Sequence, residues 1–112
     1  MIYRAATGTV EQRGADGPPL GIGPMWLADT SEADGVVALE PSDAIVLITD
    51  GFFEWPRSDG ERFGLERLGA AMVRADQAEA DFITAMRDAV EKFAAGEPQP
   101  DDLTAVVIRR TN

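Results

Sequence analysis

Two short runs open the chain, Met1 to Ala5 and Thr9 to Gln12, and between them lies Ala6-Thr7-Gly8. Gly8 can take positive φ, so this spacing predicts a hairpin of two short strands. The next stretch, Arg13 to Pro24, is dense in Gly and Pro and predicts a loop or linker. Val36 to Glu40 and Ala44 to Thr49 then read as strands around the turn Pro41-Ser42-Asp43. Ile45, Val46, Leu47 and Ile48 are apolar in succession, the pattern of a strand covered on both faces.

The period then changes. Leu65, Leu68 and Met72 form one stripe over Gly64 to Arg74, which predicts an amphipathic helix weakened by Gly69. A second helix is expected over Gln77 to Ala95, capped by Asp76 with Glu79 three residues on and ended at Gly96. Its stripe is Phe82, Met86, Ala89, Val90 and Phe93, and both stripes are expected to face a core. Leu103 to Arg110 is a final strand, largely apolar on both faces. No internal repeat interrupts this order. The reading is an α+β chain in which an antiparallel sheet packs with two α-helices.

At 112 residues the chain has room for one domain, 1–112, with a single core. With 45% apolar residues and no run near the ~18 needed to span a bilayer, neither disorder nor a membrane span is expected. No basic segment followed by an apolar stretch opens the chain, so a cytoplasmic address is expected. The absence of Cys and His removes disulfides, thiolate nucleophiles, Cys/His zinc sites and histidine bases. A net charge of −10 repels a phosphate backbone, which excludes nucleic acid and suits a hard divalent cation.

Candidate chemistry therefore rests on carboxylates. Asp50 follows the Ala44–Thr49 strand, and Asp101-Asp102 precede the last strand. If those strands are antiparallel neighbours, the end of one lies beside the start of the other and the carboxylates converge. Crowded carboxylates need a proton or metal between them, and oxygen-only donors suit Mg²⁺ or Mn²⁺. The same dipeptides also serve as ordinary turns, and spacing alone leaves both readings open.

The wording of these segments adds a resemblance. Pro19-Leu20-Gly21-Ile22, Leu39-Glu40-Pro41-Ser42-Asp43, Thr49-Asp50-Gly51-Phe52-Phe53-Glu54, Arg62-Phe63-Gly64-Leu65-Glu66-Arg67-Leu68 and Gln99-Pro100-Asp101-Asp102-Leu103-Thr104 occur in this order. Together they resemble the C-terminal half of a SpoIIE-type protein phosphatase, a group within the metal-dependent PPM phosphatases, over about Met1 to Arg110. The resemblance implies part of an α-β-β-α sandwich holding two Mn²⁺ or Mg²⁺ ions. It also implies attack of a metal-activated water on phosphoserine or phosphothreonine, with no catalytic side chain beyond it in this chain. The substrates implied are phosphoproteins of the anti-sigma-factor antagonist type in bacterial signalling. Asp50 and Asp101 match metal-ligand positions. Asp102, Gly51 and Thr104 are given supporting roles: Asp102 by hydrogen bonding, Gly51 by letting the backbone bend, and Thr104 by bracing the strand start.

The family's N-terminal half, with a bridging aspartate, a glycine carbonyl ligand and a Gly-His loop, has no counterpart here, so the chain is expected to begin inside the domain and to hold metal weakly. The alternative is a non-catalytic interaction module using the Gly64–Gly96 region and exposed aromatics Trp26, Phe52, Phe53 and Trp55. Two helices can cover one sheet face only, so a homodimer, or pairing with the missing half, is expected.

Overall fold

The computed structural model describes residues 1–14 and 35–112. Strands β1 (Ile2–Arg4) and β2 (Thr9–Glu11) form the expected hairpin, with Tyr3 opposite Val10 and Gly8 at φ 62° in the turn. β3 (Ala44–Ile48) pairs with β1 on one side and with β4 (Ala105–Arg109) on the other, all antiparallel, in the order β2-β1-β3-β4. The β3–β4 register places Val46 opposite Val107 and Leu47 opposite Val106. Three helices lie between these strands in sequence: α1 (Gly51–Glu54), α2 (Leu65–Gln77) and α3 (Phe82–Ala94). The fold is α+β, an antiparallel sheet with helices, and it is consistent with part of a PPM-type domain.

The helices cover one face of the sheet. Tyr3, Ala44 and Val46 from that face pack with Leu68, Met72 and Ala75 of α2 and with Phe82, Met86, Val90 and Ala94 of α3. Tyr3 meets Phe82 edge to face at 5.2 Å between ring centroids, a favourable quadrupole geometry. The buried positions of α3 recur every four residues, Phe82, Met86, Val90 and Ala94, which is the stripe that a 3.6-residue period turns toward a core.

The opposite face is a different surface. Period-two alternation puts Leu47, Val106 and Ile108 there, exposed to 56%, 48% and 52%. Among the described residues, the cover expected on both faces of these apolar strands is thus met on the helix side and not at the β3–β4 half of the outer side.

Four local expectations change. Residues 35–40 form no strand, because arginines take their carbonyls: Arg4 Nη1 donates to Ala38 C=O at 2.7 Å and Arg110 Nη1 to Leu39 C=O. α2 runs past Arg74 to Gln77, so Asp76 lies inside it, and the cap of α3 is Asp81, whose Oδ2 accepts from Thr84 N–H at 2.7 Å. Asp76 cannot cap because its carboxylate is held by the Tyr3 hydroxyl at 2.6 Å and Arg109 at 3.1 Å. The short helix α1 was not expected from the sequence. Lastly, Phe52 and Trp55 are core residues, 2% and 6% exposed, so they offer no aromatic binding surface. Trp26 and most of the expected Arg13–Pro24 loop lie outside the described residues.

Among the described residues no helix is long and apolar enough to cross a membrane.

Candidate functional site

The antiparallel β3–β4 pair brings the end of one strand against the start of the other, and Asp50 and Asp101-Asp102 sit at that edge. Hydrogen bonds centred on Thr49 join the two segments, and its hydroxyl also lies 3.5 Å from Thr104 C=O. Thr49 N–H donates to Thr104 C=O at 3.0 Å, Thr104 N–H donates to Thr49 Oγ1 at 3.0 Å, and Thr49 Oγ1–H donates to Asp102 C=O at 3.2 Å. Gly51 follows immediately and is buried, its Cα so near Asp102 that an added Cβ would overlap the Asp102 carbonyl oxygen.

Asp50 stands at the N-cap position of α1, yet its side chain makes no capping bond; the backbone alone starts the turn, with Asp50 C=O accepting from Glu54 N–H at 2.8 Å. Both Asp50 and Asp102 are exposed. Asp101 is held differently: its Oδ1 accepts from Asp102 N–H at 2.7 Å, and its carbonyl accepts from the Gln99 amide at 2.7 Å. These local bonds orient the acid without burying it. Trp55 ties the preceding loop down, donating Nε1–H to Glu97 C=O at 3.2 Å.

Oxygen donors on two adjoining segments suit a hard cation in chemistry. In number they fall short, since no group of three or more acidic side chains is placed to hold a metal among the described residues. Mg²⁺ and Mn²⁺ accept such sites by keeping several waters. Asp50, Asp101 and Asp102, the acids that the resemblance singled out, all lie on these two segments.

The supporting residues act in ways the spacing did not reveal. Gly51 is not at positive φ, so its value is close approach to the Asp102 carbonyl. The strand start is braced from the other side, by the Thr49 hydroxyl on Thr104 N–H. Thr49 was missed as a site residue, although it stands next to Asp50 and a hydroxyl there can both give and accept a bond.

Two further motifs prove to be fold-making, while Pro19-Leu20-Gly21-Ile22 lies outside the described residues. In Arg62-Phe63-Gly64-Leu65-Glu66-Arg67-Leu68, Gly64 takes φ 81° before α2, and Phe63 and Leu68 are buried. Arg67 reaches back to Phe63 C=O at 2.9 Å and lies over the Phe93 ring at 4.7 Å. In Leu39-Glu40-Pro41-Ser42-Asp43, the buried Asp43 carboxylate accepts from Ala5 N–H at 2.9 Å, Arg4 at 3.0 Å and Glu40 N–H at 3.1 Å. Those bonds, the Ala5 amide first, hold its pKa below the ordinary value.

No curated protein and no solved structure gives a significant match to this chain. A family model does: Stage II sporulation protein E (SpoIIE) matches residues 1–111. With the Thr49-Asp50-Gly51 and Asp101-Asp102-Leu103-Thr104 segments joined at one sheet edge and the family match running over nearly the whole length, the chain belongs to the SpoIIE family, as part of a PPM-type phosphatase domain.

Proposed function

We propose that this chain forms the Asp50/Asp101 side of a Mn²⁺- or Mg²⁺-dependent protein serine/threonine phosphatase, acting in the cytoplasm on a bacterial regulatory phosphoprotein of the anti-sigma-factor antagonist type. The observation that carries it is the bonding of the Asp50 segment to the Asp101-Asp102 segment through Thr49. A divalent pair, when bound, supplies a nucleophilic water at neutral pH and neutralises charge on the transferred phosphoryl group. Asp50 and Asp101 would bind and orient the ion; Gly51 and Thr49 would hold the two segments in contact; Asp102 would lend further negative charge.

The test is Mn²⁺ binding by the 112-residue chain, read from loss of the free-ion signal in electron paramagnetic resonance. Weak binding in the millimolar range is expected, since two or three acids leave most octahedral positions to water. Asp50→Asn and Asp101→Asn should each weaken it about tenfold or more. Unchanged binding in both variants would overturn the reading.

A second reading is favoured by the outer sheet face. Leaving Leu47, Val106 and Ile108 in water forfeits about 25 cal/mol for every Å² that a partner surface would cover. Self-association through this face, two copies stacking sheet on sheet, is the partner proposal that follows. Light scattering at high concentration should give twice the 12.0 kDa chain mass, and Leu47→Lys should restore the single mass. A mass that stays at 12.0 kDa throughout rejects it.

A further inference from the structure

The outer sheet face has two unlike ends. Ile45 stands opposite Ile108 and Leu47 opposite Val106, and cross-strand partners share a face, so these four form its apolar middle. Past them at one end come Asp50, Asp101 and Asp102, all exposed, on segments 49–51 and 101–104 that carry no basic residue. At the other end is Arg110, two positions past Ile108 and so on the same face; Arg109 between them turns to the helix side, over the Phe82 ring at 4.6 Å. Arg110 bonds the Leu39 and Asn112 carbonyls and meets no side-chain acid among the described residues, whereas Arg4, also at this end, is engaged by Glu11 and Asp43. With Glu40 beside Asp43, charge at this end is near balance. From Thr104 to Arg110 the strand runs roughly 20 Å, more than twice the ~8 Å screening length at physiological salt, so the two ends act as separate charges.

We propose that a second copy of this chain covers the outer face in antiparallel orientation, its Arg110 lying against the Asp50, Asp101 and Asp102 end of the first. This rests on the two copies stacking sheet on sheet. A face-to-face pair related by a two-fold axis has two choices. With the axis along the strands, like ends meet, and the exposed carboxylates of both copies crowd together with no cation among them. With the axis across the strands, β4 lies antiparallel on the partner's β4, and each acidic end meets an arginine. Like charges set against each other penalise the first arrangement, and opposite charges favour the second. The apolar middle does not fix the orientation by itself. Four short strands offer a face of roughly 300 Å², against the ~800 Å² per partner of a standard interface, so association is weak and the charged ends choose between the two arrangements.

The chain has no cysteine, so single cysteines can be placed cleanly. Thr104→Cys marks the acidic end of β4 and Ile108→Cys the arginine end, and both positions are exposed. Equal amounts of the two full-length variants are mixed at high concentration with a chelator, joined by a short bis-maleimide and weighed by mass spectrometry. The mixed product should exceed either like-with-like product by about tenfold. In light scattering, Arg110→Asp should weaken association about tenfold, because the two-fold axis alters the contact twice; Arg87→Asp, the same charge change on the exposed side of α3, should leave it within about twofold. Like-with-like products in excess overturn the antiparallel arrangement while self-association stands. An Arg110→Asp effect no larger than that of Arg87→Asp overturns it too. A mass of 12.0 kDa at every concentration, with no cross-link, rejects self-association and the proposal with it, and leaves the face to a different chain. Should Arg110→Asp not fold, the cross-link pattern alone decides.

Discussion

Replacing Gly51 and Gly69 by alanine should move stability in opposite directions, and the structure supplies both signs. In a helix alanine is better than glycine by about 1 kcal/mol, and the unfolded chain loses freedom as well. At Gly69, inside α2, the new Cβ would sit 3.4 Å from Val10 Cβ, 3.6 Å from Val10 Cγ1 and 3.7 Å from Met1 Cε, all ordinary contacts. Gly69→Ala should therefore stabilise by roughly 0.5–1 kcal/mol. At Gly51 the Cβ would overlap the Asp102 carbonyl oxygen and lie 3.2 Å from its carbonyl carbon, with Leu103 Cδ2 at 3.3 Å behind it. The obstacle is backbone tied to Thr49, so it cannot swing aside as a flexible side chain would. Overpacking of this kind costs about 1–3 kcal/mol, while the propensity gain in a four-residue helix is at the low end. Gly51→Ala should lose about 1–2 kcal/mol net, which for a chain of this size lowers Tm by roughly 5–15 °C. Thermal unfolding followed by circular dichroism in the presence of a chelator measures both variants without any metal contribution. A Gly51→Ala protein as stable as the parent would refute the claim that the two segments touch at Asp102.

Three further outcomes follow from particular groups. Tyr3 is the only tyrosine, and burial first, then its bond to Asp76, push its pKa up to about 12; because the folded value is raised, its contribution is complete below the ordinary value of 10.0 and lost as pH rises toward 12, so tyrosinate absorbance should appear only with alkaline unfolding, and titration near 10 would contradict the buried Tyr3–Asp76 pair. Asp81→Ala should cost about 1 kcal/mol in denaturant unfolding by removing the α3 cap; the Thr84 N–H holds the Asp81 pKa below 3.8, so this contribution is present above that pH and fades as acid protonates the folded state, and a variant equal to the parent at neutral pH would deny the cap. Phosphopeptide hydrolysis by this chain with Mn²⁺ should be negligible, since the described acids lack a third partner to hold and share charge with a second ion; robust turnover abolished by Asp50→Asn would show that the site is complete.

Much of the fold was legible because local signals agreed with the final packing. Gly8 marks the hairpin turn, and the Leu68/Met72 stripe and the Phe82/Met86/Val90 stripe each state which side faces the core, and the core obeys them; the apolar runs of β3 and β4 name strands but not the face that is covered. Family membership was legible too, since an ordered set of short motifs survives in one dimension. The metal role of Asp50 and Asp101 remains a reading of those motifs.

What only the tertiary structure decided were matters of partnership between distant residues. Asp76 has the look of a helix cap, but Tyr3, 73 positions away, claims its carboxylate, so α2 continues and the cap passes to Asp81. Residues 36–40 have strand composition, yet the side chains of Arg4 and Arg110 occupy carbonyls that a neighbouring strand would need. Phe52 and Trp55 are aromatic and near a candidate site, and one-turn helix α1 rolls both into the core. The importance of Thr49 and Gly51 arises from a carbonyl more than fifty residues further on. Propensity and periodicity describe a residue's own backbone and its near neighbours. Which donor meets which acceptor across the sheet depends on register, and register is settled when the whole apolar face is buried at once.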